Sequence, residues 1–320
     1  MIPRNPDAKD LISLVVPFYN ESEVADEFFR EVSLVLRNIA QADYEIVCVN
    51  DGSTDATLDH LLAACAADPR VKVIDLSRNF GKEAAMTAGI DAAMGDAVIP
   101  FDADLQDPPE AIPAMIEKWR EGFDVVLGKR AERQTDTYAK RSTAALFYRV
   151  HNAISDIKIP VNAGDFRLMS RSAVDALKQL PENRRFMKGL FAWIGFRTTE
   201  IEYSRRPRAA GKTKFSGWKL WNFALEGMTS FSTLPLRIWT YVGGVIAAFA
   251  MLYSAYLILR TLIRGVDIPG YASIITAVLF LGGVQLIGIG VIGEYIGRMY
   301  VEAKRRPVYI IRKIYQKDDL

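Results

Sequence analysis

Cysteine is nearly missing from the 320-residue chain, which holds only Cys48 and Cys65. Neither sits in a CxxC or His-rich spacing. This argues against a zinc site or a disulfide framework, suits a reducing compartment, and leaves both as small core residues. A surplus of either charge is also missing, because 40 Lys+Arg face 38 Asp+Glu for a net charge of +2. A globally basic nucleic-acid binder leans much further, so no nucleic-acid partner is expected. The opening MIPRNPDAKD has no apolar run before Leu11, and a cleaved secretory peptide is therefore not expected. Gly211-Lys212-Thr213 resembles the tail of a Walker A loop, but position 206 is Arg where that loop needs Gly. What the chain does have is apolar material. Half of its residues are hydrophobic, enough to bury a core and to exclude a disordered tail protein.

The distribution of that material divides the chain. No charged residue occurs over the 22 positions from Ile238 to Leu259, or over the 26 from Ile268 to Gly293. As helices these runs reach about 33 to 39 Å, enough to cross a hydrocarbon core of about 30 Å. Two spans joined by a short loop form a hairpin, with both long flanks on one side. Arg205, Arg206, Arg208, Lys212, Lys214, Lys219 and Arg237 crowd the first flank, and Arg298, Lys304, Arg305, Arg306, Arg312 and Lys313 the second. The positive-inside rule places both in the cytoplasm, making a multi-pass protein of the cell (inner) membrane. Between them, Trp218, Trp221, Leu225 and Met228 recur at helical spacing beside basic residues, as in a helix lying in an anionic membrane interface. The expected division is a catalytic domain over 1–203, a basic loop and juxtamembrane amphipathic helix over 204–236, two transmembrane helices over 237–299, and a cytoplasmic basic tail over 300–320.

Before the membrane, apolar runs at Leu11–Pro17, Tyr44–Asn50, Val71–Leu76, Asp96–Asp102 and Phe123–Gly128 read as buried strands. They alternate with helical stretches near Glu23–Ala40, Thr54–Ala67, Lys82–Met94 and Pro109–Glu121. That alternation implies an α/β fold, a mostly parallel sheet covered on both faces by helices. Ligands of such sheets bind beyond the carboxyl ends of the strands, where Asp51, Asp102, Asp104 and Arg130 fall. Asp102 and Asp104 are two apart at a strand end, so their carboxylates can address one divalent cation. Gln106 adds an oxygen, and an all-oxygen set suits Mg²⁺ or Mn²⁺.

Five ordered blocks carry a resemblance: VVPFYNE (Val15 to Glu21), VNDGSTD (Val49 to Asp55), LSRNFGKEAAMTAGI (Leu76 to Ile90), DADLQDPPE (Asp102 to Glu110) and AGDFRLMSR (Ala163 to Arg171). Together they resemble glycosyltransferase family 2, within it the polyprenyl-phosphate branch that includes dolichyl-phosphate mannose synthases and bactoprenol glucosyl transferases. The resemblance implies a glycosyltransferase-A type fold and inverting transfer from a nucleotide-sugar to a polyprenyl phosphate. Glucose from UDP-glucose is the leading expectation, with GDP-mannose or an aminoarabinose-type donor as alternatives. It further implies that Pro17, Tyr19, Glu21 and Asp51 hold the nucleoside, Asp51 through the base. Asp102 would face the ribose or the metal, Asp104 and Gln106 would ligate the metal, and Arg130 would engage donor or acceptor phosphate. Asp165 and Arg167 resemble the acceptor-side motif, and Arg206 and Lys212 a mobile basic loop over the diphosphate. Plainer roles compete: Tyr19 packing, Asp51 capping a helix, and Arg167 pairing with Asp165.

A phosphate monoester acceptor is largely anionic at neutral pH, its second pKa being about 6. Asp165 is therefore expected to orient the acceptor or a basic neighbour more than to remove a proton. Processive synthases carry QxxRW, where this chain reads Glu182-Asn183-Arg184-Arg185-Phe186. A catalytically silent, nucleotide-sensing membrane scaffold is the reading from another class. Gly293 and Gly297 form a GxxxG that suggests a close helix contact. VYIIRKIY, after Pro307, has strand-like composition suited to pairing with a neighbouring subunit, which raises a homo-oligomer.

Overall fold

A computed structural model describes residues 9–130, 163–183, 185, 187–204, 234–264 and 270–319. Four strands, β1 (Asp10–Phe18), β2 (Ala42–Asn50), β3 (Val71–Leu76) and β4 (Ala97–Pro100), form a parallel block in the order β4-β1-β2-β3. Beyond β4 lie β6 (Ala163–Ser170), β5 (Val125–Arg130) and β7 (Thr198–Tyr203), completing most of one eight-stranded sheet. Here β6 runs antiparallel to β4 and β5, while β5 and β7 are parallel. The sheet is thus the mostly parallel, mixed one the apolar runs imply.

Side-chain alternation sorts the strands onto two helical layers. Ile12, Leu14, Val16 and Phe18 of β1 point toward α1 (Ser22–Arg37), α2 (Thr57–Ala67) and α4 (Ile112–Arg120). Val15 points the other way with Val47 and Val49, onto α3 (Lys82–Ala92), α5 (Arg171–Lys178) and α6 (Met187–Trp193). Cys48 and Cys65 are buried free thiols in the first layer, and burial raises the Cys48 thiol well above its ordinary value.

Two features of this packing position the strand ends. In α3 the run Ala84 to Ile90 is wholly buried, and a Cβ on Gly89 would collide with Val15 and press on Val49. Small residues therefore let α3 lie hard against β1 and β2, with its first residue at the carboxyl edge of the sheet. On the opposite face a chain of rings runs Phe18, Phe28, Phe101, Phe166, Tyr203, with centroids 5.4, 6.1, 5.4 and 5.5 Å apart. Such pairs contribute about 0.5–1.5 kcal/mol each beyond area burial. The Phe101–Phe166 pair fixes the neighbouring Asp102 and Asp165 relative to one another.

Two long helices follow, α7 (Leu234–Arg264) and α8 (Tyr271–Ala303), of 31 and 33 residues, or about 46 and 50 Å. Among the described residues one stretch, Phe280–Ala303, is long and apolar enough to cross a membrane, with mean hydropathy 1.5. The two helices meet where Trp239 crosses Gly288, whose missing Cβ the indole replaces. Among the described residues the close contact is at Gly288, and Cβ atoms on Gly293 and Gly297 would meet none of them within 4 Å. Glu294 and Arg298 pair as their spacing implies, at 3.0 Å.

After α8 the chain returns to the sheet. Glu302 accepts hydrogen bonds from the Asn183 backbone and side chain, and the Tyr309 hydroxyl donates to Asp91 at 2.8 Å. Strand β8 (Ile311–Tyr315) then pairs antiparallel with β3 as the last strand of the sheet. This corrects the reading of 300–320 as a basic tail whose strand serves a neighbouring subunit, because the bare edge it covers belongs to its own chain. The interfacial helix expected around Trp218 to Met228 lies outside the described residues.

Candidate active site

Loops at the carboxyl ends of β1 to β4 converge, and two of them bend through a left-handed conformation. Asn20 has φ 52° and Leu105 φ 51°. A bulky residue at positive φ is a genuine outlier, and such strain concentrates at functional sites. Asn20 uses its turn to stitch two loops together: its N–H donates to Ser53 Oγ at 3.1 Å and its Oδ1 accepts from the Thr54 N–H at 2.8 Å. Beside them Glu21 is held by its N–H to Thr57 Oγ1 at 2.9 Å. Pro17 is half-buried near the end of β1, before the buried Phe18, and Tyr19 stands 38% exposed at the rim.

Asp51 is 2% exposed. Its two carboxylate oxygens accept the backbone N–H groups of Phe80 at 2.7 Å and Gly81 at 3.0 Å. Burial pushes its pKa up, against those two hydrogen bonds and Arg78. The helix-capping alternative thus describes it closely, except that the helix served is α3 and not the one that follows it in sequence. Gly52 makes this possible: at φ 64°, a Cβ would collide with the Arg78 and Asn79 backbone. Behind Asp51, Asn50 Nδ2 donates to Asp75 at 2.8 Å, and Arg312 of β8 donates to the other Asp75 oxygen at 3.1 Å.

Strand β4 ends at Pro100, so Asp102, Asp104 and Gln106 lie in a turn and not on an extended strand. The left-handed Leu105, 4% exposed, pins that turn inward, and Asp104 Oδ1 accepts the Gln106 N–H at 3.2 Å. Lys82, the first residue of α3, reaches across this turn. Its ammonium lies 2.7 Å from Asp102 and 2.9 Å from Asp165. Burial disfavours its charge, yet Asp165 and Asp102 outweigh that and hold its pKa above the ordinary lysine value.

On the far side Arg130, at the end of β5, is hydrogen-bonded to Tyr203, with Asp107 and Asp165 nearby; burial opposes its charge and these partners more than restore it. The Tyr203 hydroxyl donates to Asp107 at 2.6 Å, so the guanidinium leans on a buried phenol–carboxylate pair, while its Nε has no partner among the described residues. Arg167 is turned inward: it is 4% exposed, donates to the Gly164 carbonyl at 2.7 Å, and covers the Phe191 ring at 4.0 Å. Burial draws its pKa down to about 10, opposed by Asp165 and Glu83, so it stays charged at neutral pH. Its place is beneath Asp165 and not in front of it. Arg206 and Lys212 lie outside the described residues.

The turn fits a divalent cation. Two carboxylates and an amide oxygen are hard ligands of the right kind, and a lysine ammonium already stands against Asp102. Among the described residues no three His, Cys, Asp or Glu side chains form a closed cage, as suits an ion that completes its shell with substrate phosphates. Sequence reasoning missed Lys82, Asp107 and Tyr203. Lys82 had a signal: a lysine at a helix start opposes the macrodipole, and so needs a local anion to explain it. Tyr203, on a short edge strand, had none.

Comparison with known proteins agrees with this geometry. The sequence model of Glycosyl transferase family 2 matches residues 13–178, and that of the GtrB C-terminal hairpin matches residues 234–299. The bactoprenol glucosyl transferase of Shigella phage SfV is 55% identical over 306 residues, covering 96% of this chain and 99% of that one. The prophage bactoprenol glucosyl transferase homolog of Escherichia coli is 54% identical, over 95% and 99%. An uncharacterized glycosyltransferase of Synechocystis is likewise 54% identical, over 95% of each chain. Among solved structures, the Pyrobaculum calidifontis mannosyltransferase PcManGT in complex with GDP-Man and Mn²⁺ covers 93% of this chain at TM-score 0.50 and 15% identity, a likeness of fold. With a family match over more than half its length and relatives of this identity end to end, the chain belongs to glycosyl transferase family 2.

Proposed function

We propose that this enzyme transfers glucose from UDP-glucose to the phosphate of a polyprenyl phosphate, undecaprenyl phosphate in particular, at the cytoplasmic face of the cell membrane. The observation that carries the reading is end-to-end identity of 54–55% with proteins named bactoprenol glucosyl transferases. The strand-end site supports it. A phosphate oxygen of the acceptor attacks C1 of glucose, the bond from C1 to the donor's β-phosphate oxygen breaks, and UDP leaves with its electron pair, inverting the anomeric centre. A divalent cation bound at the DADLQ turn supplies charge neutralisation for the departing diphosphate. Asp104, Gln106 and Asp102 would hold it.

The chain's own residues do the rest. Asp51 and Gly52 shape the 78–81 loop against the nucleoside pocket, where Pro17, Tyr19 and Glu21 line the rim. Arg130, braced by Tyr203 and Asp107, offers its guanidinium to phosphate. The acceptor is already anionic, so no strong base is required. Asp165, occupied by an ammonium at 2.9 Å, is suited to orienting its basic neighbour and not to taking a proton.

The C-terminal strand supports the membrane arrangement. Because β8 joins the same sheet as β1 to β4, the residues after α8 lie with the catalytic domain, which supports a reading of two crossings, α7 out and α8 back. To test the reaction, membranes containing the full chain are incubated with undecaprenyl phosphate and labelled UDP-glucose, GDP-mannose or UDP-galactose. Label is expected in butanol-extractable lipid from UDP-glucose alone, abolished by EDTA, and reduced roughly 10²–10³-fold by Asp104→Asn. Transfer that is indifferent to EDTA, or no lipid product from UDP-glucose, overturns the proposal.

A further inference from the structure

Lys82 is the anomaly of the site. Helix N-termini favour anions, yet α3 begins with a cation, and the bare Gly89 lets the helix lie close against Val15 and Val49. The ammonium bridges two carboxylates, Asp102 from the turn after β4 and Asp165 from β6. Of the three groups Lys82 is the most open, at 43% side-chain exposure against 28% for Asp102 and 17% for Asp165. It therefore covers the carboxylates from the solvent side, on a flexible four-carbon stem that can swing.

The proposed reaction, on which this inference rests, makes two demands of the same carboxylates. The donor with its metal needs Asp102. The acceptor brings a phosphate of up to two negative charges toward Asp165, which without a counter-ion would repel it. A lysine shared between the two meets both demands in sequence.

We propose that Lys82 is an exchangeable counter-ion that makes donor loading the condition for acceptor capture. In the empty site it neutralises Asp102 and Asp165 together. The metal-bound donor claims Asp102, and the ammonium, released on one side and still tethered to Asp165, becomes the cation for the acceptor phosphate. Acceptor arriving first finds that ammonium already committed to two carboxylates. The geometry thus imposes an order, donor before acceptor, and assigns acceptor recognition to a residue of the donor-side helix.

Binding measurements on the full chain in detergent test this without turnover. MnCl₂ with UDP is titrated by calorimetry into the wild type, Lys82→Met and Lys82→Arg, followed by a short-chain prenyl phosphate with and without Mn²⁺–UDP. Lys82→Met, free of the competing ammonium, is expected to bind Mn²⁺–UDP about tenfold more tightly, a usual size of coupling between linked groups. It should also lose the gain in prenyl phosphate affinity that Mn²⁺–UDP confers on the wild type. Lys82→Arg, whose fork grips carboxylates more firmly, should shift Mn²⁺–UDP binding the opposite way, and this arm stands even if the Met variant misfolds. Mn²⁺–UDP affinities equal across folded variants, or an undiminished gain in Lys82→Met, overturn the exchange. If the wild type itself binds no prenyl phosphate, the acceptor reading falls, while the Mn²⁺–UDP comparison still decides whether Lys82 competes for Asp102.

Discussion

Gly52 does more for the donor side than any charged group beside it. The Asp51 carboxylate can reach the Phe80 and Gly81 amides only because position 52 carries no Cβ and takes φ 64°. A side chain there adds about 1–2 kcal/mol of left-handed strain to a collision with the Arg78–Asn79 backbone, and the 78–81 loop must move. Gly52→Ala is expected to weaken Mn²⁺–UDP binding at least tenfold and to lower the melting temperature, both measured on the purified full chain; unchanged donor affinity would show that the loop does not shape the pocket. VNDGSTD marks Asp51 as a candidate, but its occupation by backbone amides is not legible, because the partners lie 29 and 30 residues away. The surroundings of Arg167 are hidden for a related reason. Sequence shows a basic residue two after Asp165, and only packing shows that the strand's alternation turns it onto Phe191.

Elements that the sequence marks by continuous burial came out close to their expected bounds. Strand β3 spans Val71–Leu76 as read, and α3 starts at Lys82. Strands not so marked were harder to see. TTEIEY of β7 is an edge strand with exposed alternate residues, which reads equally as loop, and nothing in AGDFRLMSR marks β6 as the antiparallel insertion between β4 and β5. The case with most consequence is β8. Its composition signalled a strand, but its partner could not be read because β3, some 235 residues earlier, gives no sign of its unsatisfied edge. Arg312 completes that pairing by meeting Asp75, which is 1% exposed. Arg312→Ala leaves a buried carboxylate with Asn50 as its remaining side-chain partner, and is expected to cost about 1–3 kcal/mol of stability, read by denaturant unfolding. A loss within error would mean that the strand pairing alone secures the edge.

At the scale of the molecule, the anchors between the long helices and the catalytic domain are specific: Glu302 to Asn183, Tyr309 to Asp91, and β8 to β3. They hold the carboxyl end of α8 to the domain that carries the candidate site. A hairpin of α7 and α8 predicts that a cysteine at Arg264 reacts with an impermeant maleimide applied to intact cells, and that one at Lys317 reacts only after lysis. The native thiols are buried and give little background. Labelling at Lys317 from outside would put the shared sheet on the outer face and sink the topology.

Because β8 is encoded after both long helices, vectorial synthesis lays down the first seven strands long before the eighth. Until both helices have been made, β3 presents a naked rim and Asp75 waits without its arginine. Completion of the sheet is in this way deferred to the last stretch of the chain, and a product truncated within the long helices leaves one edge of its sheet uncovered.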